Sequence, residues 1–192
     1  MHKKYEFTGE VHYRFPALKR IRALVDIPLH GVKAGDIGGW IEREDNLSHD
    51  GACWLGDGAQ VRDDAYIGGL AVVSGQAIIN EKAIVCGYAK VEGLAVVSGQ
   101  ARILDTAYIT GLSTVNEDAV VKDSAMVCNA AHVCGTAKLK NNFMACGIMH
   151  LHFGIHDSFS DHTYRAPGVD KDLPGILESD IKLSEVLLSE KS

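Results

Sequence analysis

Near the end of the sequence, MHLHFGIHDSFSDH gathers His150, His152, His156, Asp157, Asp161 and His162 within thirteen residues. Imidazoles and carboxylates at that density can move protons near neutral pH, hold anions when protonated, or ligate Zn²⁺. His150 and His152 would share one side of a strand, a geometry that binds zinc if a third ligand folds back. No standard zinc-site spacing is matched, however, so no metal is assigned. The expected roles are hydrogen bonds within a cap, or groups lining a ligand pocket together with Tyr164 and Arg165. Further upstream, His132, Tyr108 and the cations Lys90, Arg102 and Lys138 are the side chains able to contact an anionic or polar ligand. No catalytic residue is assigned, because no second catalytic group accompanies any of the histidines.

What positions these residues is a period of six. Every sixth residue from Ala59 to Ala137 is alanine except Ser113, and two places later every residue from Val61 to Leu139 is Val, Ile or Leu. A helix cannot produce this, because at about 100° per residue a six-residue step lands on opposite sides. A three-residue strand can, with its first and third side chains inward and its middle one outward. The other three positions hold turn residues such as Ser74-Gly75-Gln76 and Thr110-Gly111-Leu112, where Gly, Asn or Asp accommodates the positive φ of a sharp corner.

Three strand-corner units close a triangular coil of 18 residues, and stacked coils pair their backbones at about 4.8 Å, a prism of about 22 Å for these fourteen hexads. Asp50 to Leu55 reads as one more hexad, with Trp54 in the aliphatic slot and a one-residue insertion after it. Phe143 to Cys146 keeps the register loosely, with the large and small residues exchanged.

An 18-residue coil sorts the outward residues into three faces. The first carries Gln60, Ile78, Val96, Thr114 and His132; the second Tyr66, Ile84, Arg102, Val120 and Lys138; the third Val72, Lys90, Tyr108 and Met126. Most are Val, Ile, Met or Tyr, and an apolar surface of that extent favours association.

The remaining segments are a head, residues 1–49, which alternates like strands, and a tail, residues 149–192. The tail holds the histidine-rich loop and an amphipathic helix anchored by Leu177, Ile181, Leu183, Leu187 and Leu188. Between them lies the solenoid, residues 50–148. A chain of 192 residues at 46% apolar supports one core, no apolar run reaches the roughly 20 residues of a membrane span, and the N-terminus lacks the apolar core of a secretion signal. Five cysteines without CxxC spacing read as free thiols, with Cys128 and Cys146 stacked one coil apart; a cytoplasmic protein is expected. A net charge of -6 opposes general nucleic-acid binding, and GDIGGW lacks the GK[ST] ending of a phosphate loop.

The repeated G-x-A-x-V wording resembles the hexapeptide-repeat (LpxA-like) family. That resemblance implies an all-β, left-handed parallel β-helix, usually a parallel homotrimer. The head wording GDIGGWIE and DNLSHDG, followed by the coils, is similar to bacterial and phage proteins of the YdcK type, labelled acetyltransferases on fold analogy. In hexapeptide acyltransferases, acyl-CoA lies between subunits and a histidine is the base. By that resemblance His132, or one of His150, His152 and His156, would serve with acetyl-CoA.

The expectation adopted is a non-catalytic homotrimer, with no cofactor, whose inter-subunit grooves and histidine-rich cap hold a small molecule or a partner protein. If the phage likeness is a guide, the bound species is a host signalling nucleotide or a host defence protein. The acyltransferase is the alternative, and a bare structural scaffold the third reading.

Overall fold

The structure, a computed structural model, describes residues 3–56 and 58–157. Its body is a parallel β-solenoid of about six turns, each coil of about 18 residues contributing one short strand to each of three sheets. Registers run Gln60, Ile78, Val96, Thr114, His132, His150 on the first face. The second face runs Tyr66, Ile84, Arg102, Val120, Lys138, Ile155, and the third Val72, Lys90, Tyr108, Met126, Met144. These are the faces that the 18-residue period predicts, each extended by one strand at its C-terminal end.

Both inward rows are removed from water along the whole repeat, from Ala59 and Val61 to Ala137 and Leu139. Alanine fits where two sheets converge, and the branched residues fill the axis. Ser113, the exception in the alanine row, is fully buried and donates its hydroxyl to the Thr110 carbonyl at 2.8 Å, so its polar group stays satisfied. At the corners the middle residue has positive φ, as expected for glycine, Asn and Asp, and also for Glu81 and Glu117.

The head is a three-stranded antiparallel sheet: β1 (Tyr5–Val11), β2 (Lys19–Ala23) and β3 (Ile37–Ile41). Strand β3 then pairs in parallel with Gln60–Val61, so Ile41 begins the aliphatic column, followed by Leu47, which bridges to Ile67. This junction explains Gly38 and Gly39 of GDIGGW. A Cβ on Gly39 would lie 2.5 Å from the Ala59 carbonyl oxygen, so the motif serves close backbone approach.

One register expectation is corrected here. In β4 (Trp54–Leu55), Leu55 pairs with Val73 and fills the aliphatic slot, while Trp54 takes the outward position opposite Val72. Cys53 stands six residues before Ala59, so nothing is inserted after β4; the two extra residues lie between Leu47 and Cys53. Trp54 is nevertheless buried, because the head covers it: a Cβ on Gly38 would come within 2.7 Å of its ring. The Tyr5 hydroxyl donates to the Leu47 carbonyl at 2.9 Å, and the buried Lys4 ammonium to Cys53 Sγ at 3.1 Å, tying head to first coil.

At the far end, Phe143 occupies the small-residue row and Ala145 the aliphatic row, the exchange expected from sequence. Leu151 keeps the 18-residue step, and His156 pairs with Leu139 after a step of 17. The tail helix expected around Leu177 to Leu188 lies outside the described residues. Among the described residues no helix is long and apolar enough to cross a membrane.

Candidate functional site

Parallel register puts His150 directly beside His132 on the first face, with ring centroids 4.6 Å apart and the planes at 66°. Just beyond each strand the chain enters the corner between the first and second faces, and there Cys134 and His152 stack in the same way. Cys134 Sγ lies 3.2 Å from His150 Nε2 and 3.1 Å from His152 Nδ1. Two sets of ligand atoms share this sulfur: His132, Cys134 and His150 form one, and Glu117, Cys134 and His152 the other, each set within 4.8 Å of one another.

The surroundings hold these groups in place. Thr114 Oγ1 is 2.8 Å from His132 Nδ1, and the Gly135 backbone N–H donates to the Glu117 carboxylate at 2.6 Å. A Cβ on Gly135 would meet the His152 carbonyl oxygen at 2.1 Å and its ring at 3.0 Å, so glycine there makes room for the histidine. Burial, and then the His150 ring, push the His132 imidazole below its ordinary pKa; burial, and then the Glu117 carboxylate, push the Cys134 thiol up. The cluster is therefore a neutral thiol among imidazoles at neutral pH, with a carboxylate at its edge.

Of the other described residues singled out from sequence, Lys90 and Tyr108 meet, and the rest lie apart within one chain. Lys90 lies on the third face beside Tyr108, its ammonium 5.2 Å from that ring and 2.7 Å from the Glu92 carboxylate, which also accepts the Tyr108 hydroxyl. Arg102 and Lys138 are exposed on the second face, separated by Val120. His156 sits in the buried row that closes the column, its Nε2 3.1 Å from the Phe153 carbonyl oxygen and its ring 5.4 Å from Phe143. Tyr164 and Arg165 lie outside the described residues.

Two features escaped sequence reasoning. Cys134 and Glu117 belong to corners rather than strands, and stacking corner residues at the 18-residue period would have aligned Cys134 with His152. The same device finds an apolar edge between the third and first faces, where Leu94, Leu112, Ala130 and Ile148 stack at the last corner position. Leu112 is 62% exposed and Ile148 71% exposed. An acidic corner of Asp63, Glu81 and Glu117 runs up to the Cys134 cluster. Its carboxylates accept backbone N–H groups of the next coil from Glu81, Gly99 and Gly135, which gives them a structural task.

No family model matches this sequence, and no curated protein matches it.

Proposed function

We propose that this protein is a non-catalytic, self-associating binding protein: a parallel homotrimer of the hexapeptide-repeat type that holds a small molecule or partner protein in the grooves between its solenoids. The observation that carries this reading is the apolar edge of Leu94, Leu112, Ala130 and Ile148, flanked by Val72 and Met126 on the third face and by Ile78 and Val96 on the first. An edge of that kind set on a threefold axis brings the third face of one prism against the first face of the next. A closed ring needs such a heterologous contact. Burying the edge removes contiguous apolar surface from water without disturbing either inward row.

The groove flanking such a contact would be lined by the third face of one chain and the first face of the next, which offers the neighbouring Lys90 and Tyr108 as contacts for a polar or anionic ligand, while Arg102 and Lys138 would stand on the outward second face. The acyltransferase alternative asks for an imidazole held as a base. Here the His132 ring is held at Nδ1 by Thr114 and packs edge-on against His150, contacts that serve a ligand-binding imidazole and a base alike, so turnover rather than geometry separates the two readings.

Sedimentation equilibrium and native mass spectrometry test the reading. The expected particle has three times the 20.7 kDa chain mass. Leu112→Lys, at an exposed position, is expected to yield a monomer with an unchanged circular dichroism spectrum. A wild-type monomer refutes the assembly. Turnover of acetyl-CoA with an amine or hydroxyl acceptor, abolished by His132→Ala, replaces the binding reading with the enzyme.

A further inference from the structure

We propose that the Cys134 cluster is a binding site for one divalent transition-metal ion of the zinc class, held by Cys134 Sγ, His132 and His150, with His152 and Glu117 beside the same sulfur as a neighbouring set. This inference stands on the geometry of a single chain and is independent of self-association.

The sulfur stands among imidazole nitrogens at separations a few tenths of an ångström inside those around a tetrahedral metal ion, so a small outward shift of the side chains would seat one. With Zn–S of about 2.3 Å and Zn–N of about 2.0 Å, a tetrahedral ion sets sulfur and nitrogen about 3.5 Å apart. The sulfur lies 3.2 Å from one imidazole nitrogen and 3.1 Å from another. A thiol carries one proton and accepts weakly, so it can make at most one good bond to two such nitrogens. A thiolate bound to a cation removes that mismatch, since the metal takes the place of the missing protons.

The ligand chemistry is selective. One thiolate with imidazoles suits zinc and cobalt, whereas calcium and magnesium require oxygen donors, of which Glu117 is the one carboxylate in the cluster. The site is also braced. His132 and His150 stand in fixed parallel register, Thr114 engages the far side of the His132 ring, and the Gly135 N–H fixes Glu117. Metal ligands are oriented by outer contacts of this kind.

Its place in the fold is equally specific. Cys134 replaces the Arg62, Asn80, Ser98 and Asn116 of earlier coils in the same corner ladder, and His150 follows His132 in the outward row, so the set assembles only at this end.

The test is a titration of chelator-stripped full-length protein with Co²⁺ under anaerobic conditions. A thiolate-to-cobalt charge-transfer band that saturates at a single equivalent, and that Zn²⁺ abolishes, is expected. Cys134→Ser and His150→Ala should each lose the band, Thr114→Val should weaken binding about 10- to 100-fold, and Cys128→Ser with Cys146→Ser should leave it unchanged. Zn²⁺ should also protect Cys134 alone among the five cysteines from alkylation in the wild-type chain, a readout that needs no variant to fold. Absence of the band, its persistence in Cys134→Ser, or equal alkylation of Cys134 with and without Zn²⁺ overturns the proposal. Sedimentation of the same samples separates this result from the assembly state, because a monomer that binds Co²⁺ refutes only the trimer.

Discussion

The Glu117 carboxylate accepts the backbone N–H of Gly135 at 2.6 Å, linking two left-handed corner residues, both at φ of 59°, across adjacent coils. Glu81 does the same for Gly99 at 2.9 Å. The bond explains how a β-carbon is tolerated in a conformation that disfavours it, since the side chain answers a backbone donor that the corner leaves over.

Glu117→Ala keeps the conformational cost and loses the bond, and is expected to destabilise the chain by about 1–2 kcal/mol. Glu117→Gly loses the bond and the strain together, so its effect should be smaller. Urea unfolding midpoints of the two variants check the ordering.

Gly135 and Gly147 both have positive φ, but a Cβ on Gly147 meets nothing within 4 Å whereas one on Gly135 strikes the His152 carbonyl. Gly147→Ala should cost about 1 kcal/mol, the backbone term alone. Gly135→Ala should cost clearly more, and the difference in unfolding free energy measures how firmly His152 is seated.

Ser113→Ala should cost no more than about 1 kcal/mol, because alanine fills this row everywhere else and the loss is one hydrogen bond to the carbonyl of half-buried Thr110. Ser113→Val should destabilise by about 1–3 kcal/mol by overfilling the corner. Thermal unfolding of both variants separates them.

Burial, followed by the hydrogen bond and charge of Cys128, pushes the Cys146 thiol from an ordinary value of 9.0 up to about 12. Alkylation of Cys146 at pH 8 should therefore be slow, and Cys128→Ser should quicken it by lowering that pKa. The folded chain keeps a proton that the unfolded chain releases above pH 9.0, so this thiol contributes no pH dependence below that value and lowers stability as pH rises toward about 12. Mass-mapped alkylation and unfolding midpoints across alkaline pH read the two effects.

Much of the fold was legible because a constant period is an address. The step of 18 placed His132 on the first face and Lys138 on the second without any coordinates, and it stacked Cys128 on the coil that carries Cys146. It failed at the edges of the repeat. The repeat puts Trp54 in the aliphatic slot that Leu55 fills, since two adjacent large apolar residues carry no alternation to choose between them, and the choice is made by the head that covers Trp54.

The candidate site was half legible. His150 and His152 stand out in the sequence as a histidine cluster, yet their partner Cys134 reads there only as one of five free thiols. A strand's alternation dictates which way its side chains point, but a corner's does not, so sequence could not aim Cys134 at two imidazoles.

Sequence alone determined the repeating unit, the identity of both inward rows and the face on which each outward residue lies, because short-range sterics and burial of alanine and aliphatic side chains admit one closed arrangement at a period of six. Only the tertiary structure decided that β3 of the head starts the column, that His156 ends it, and that Glu117, Cys134 and His152 meet at one corner. Those outcomes depend on contacts between coils and on where the repeat breaks its own step, and a periodic pattern carries no information about its exceptions.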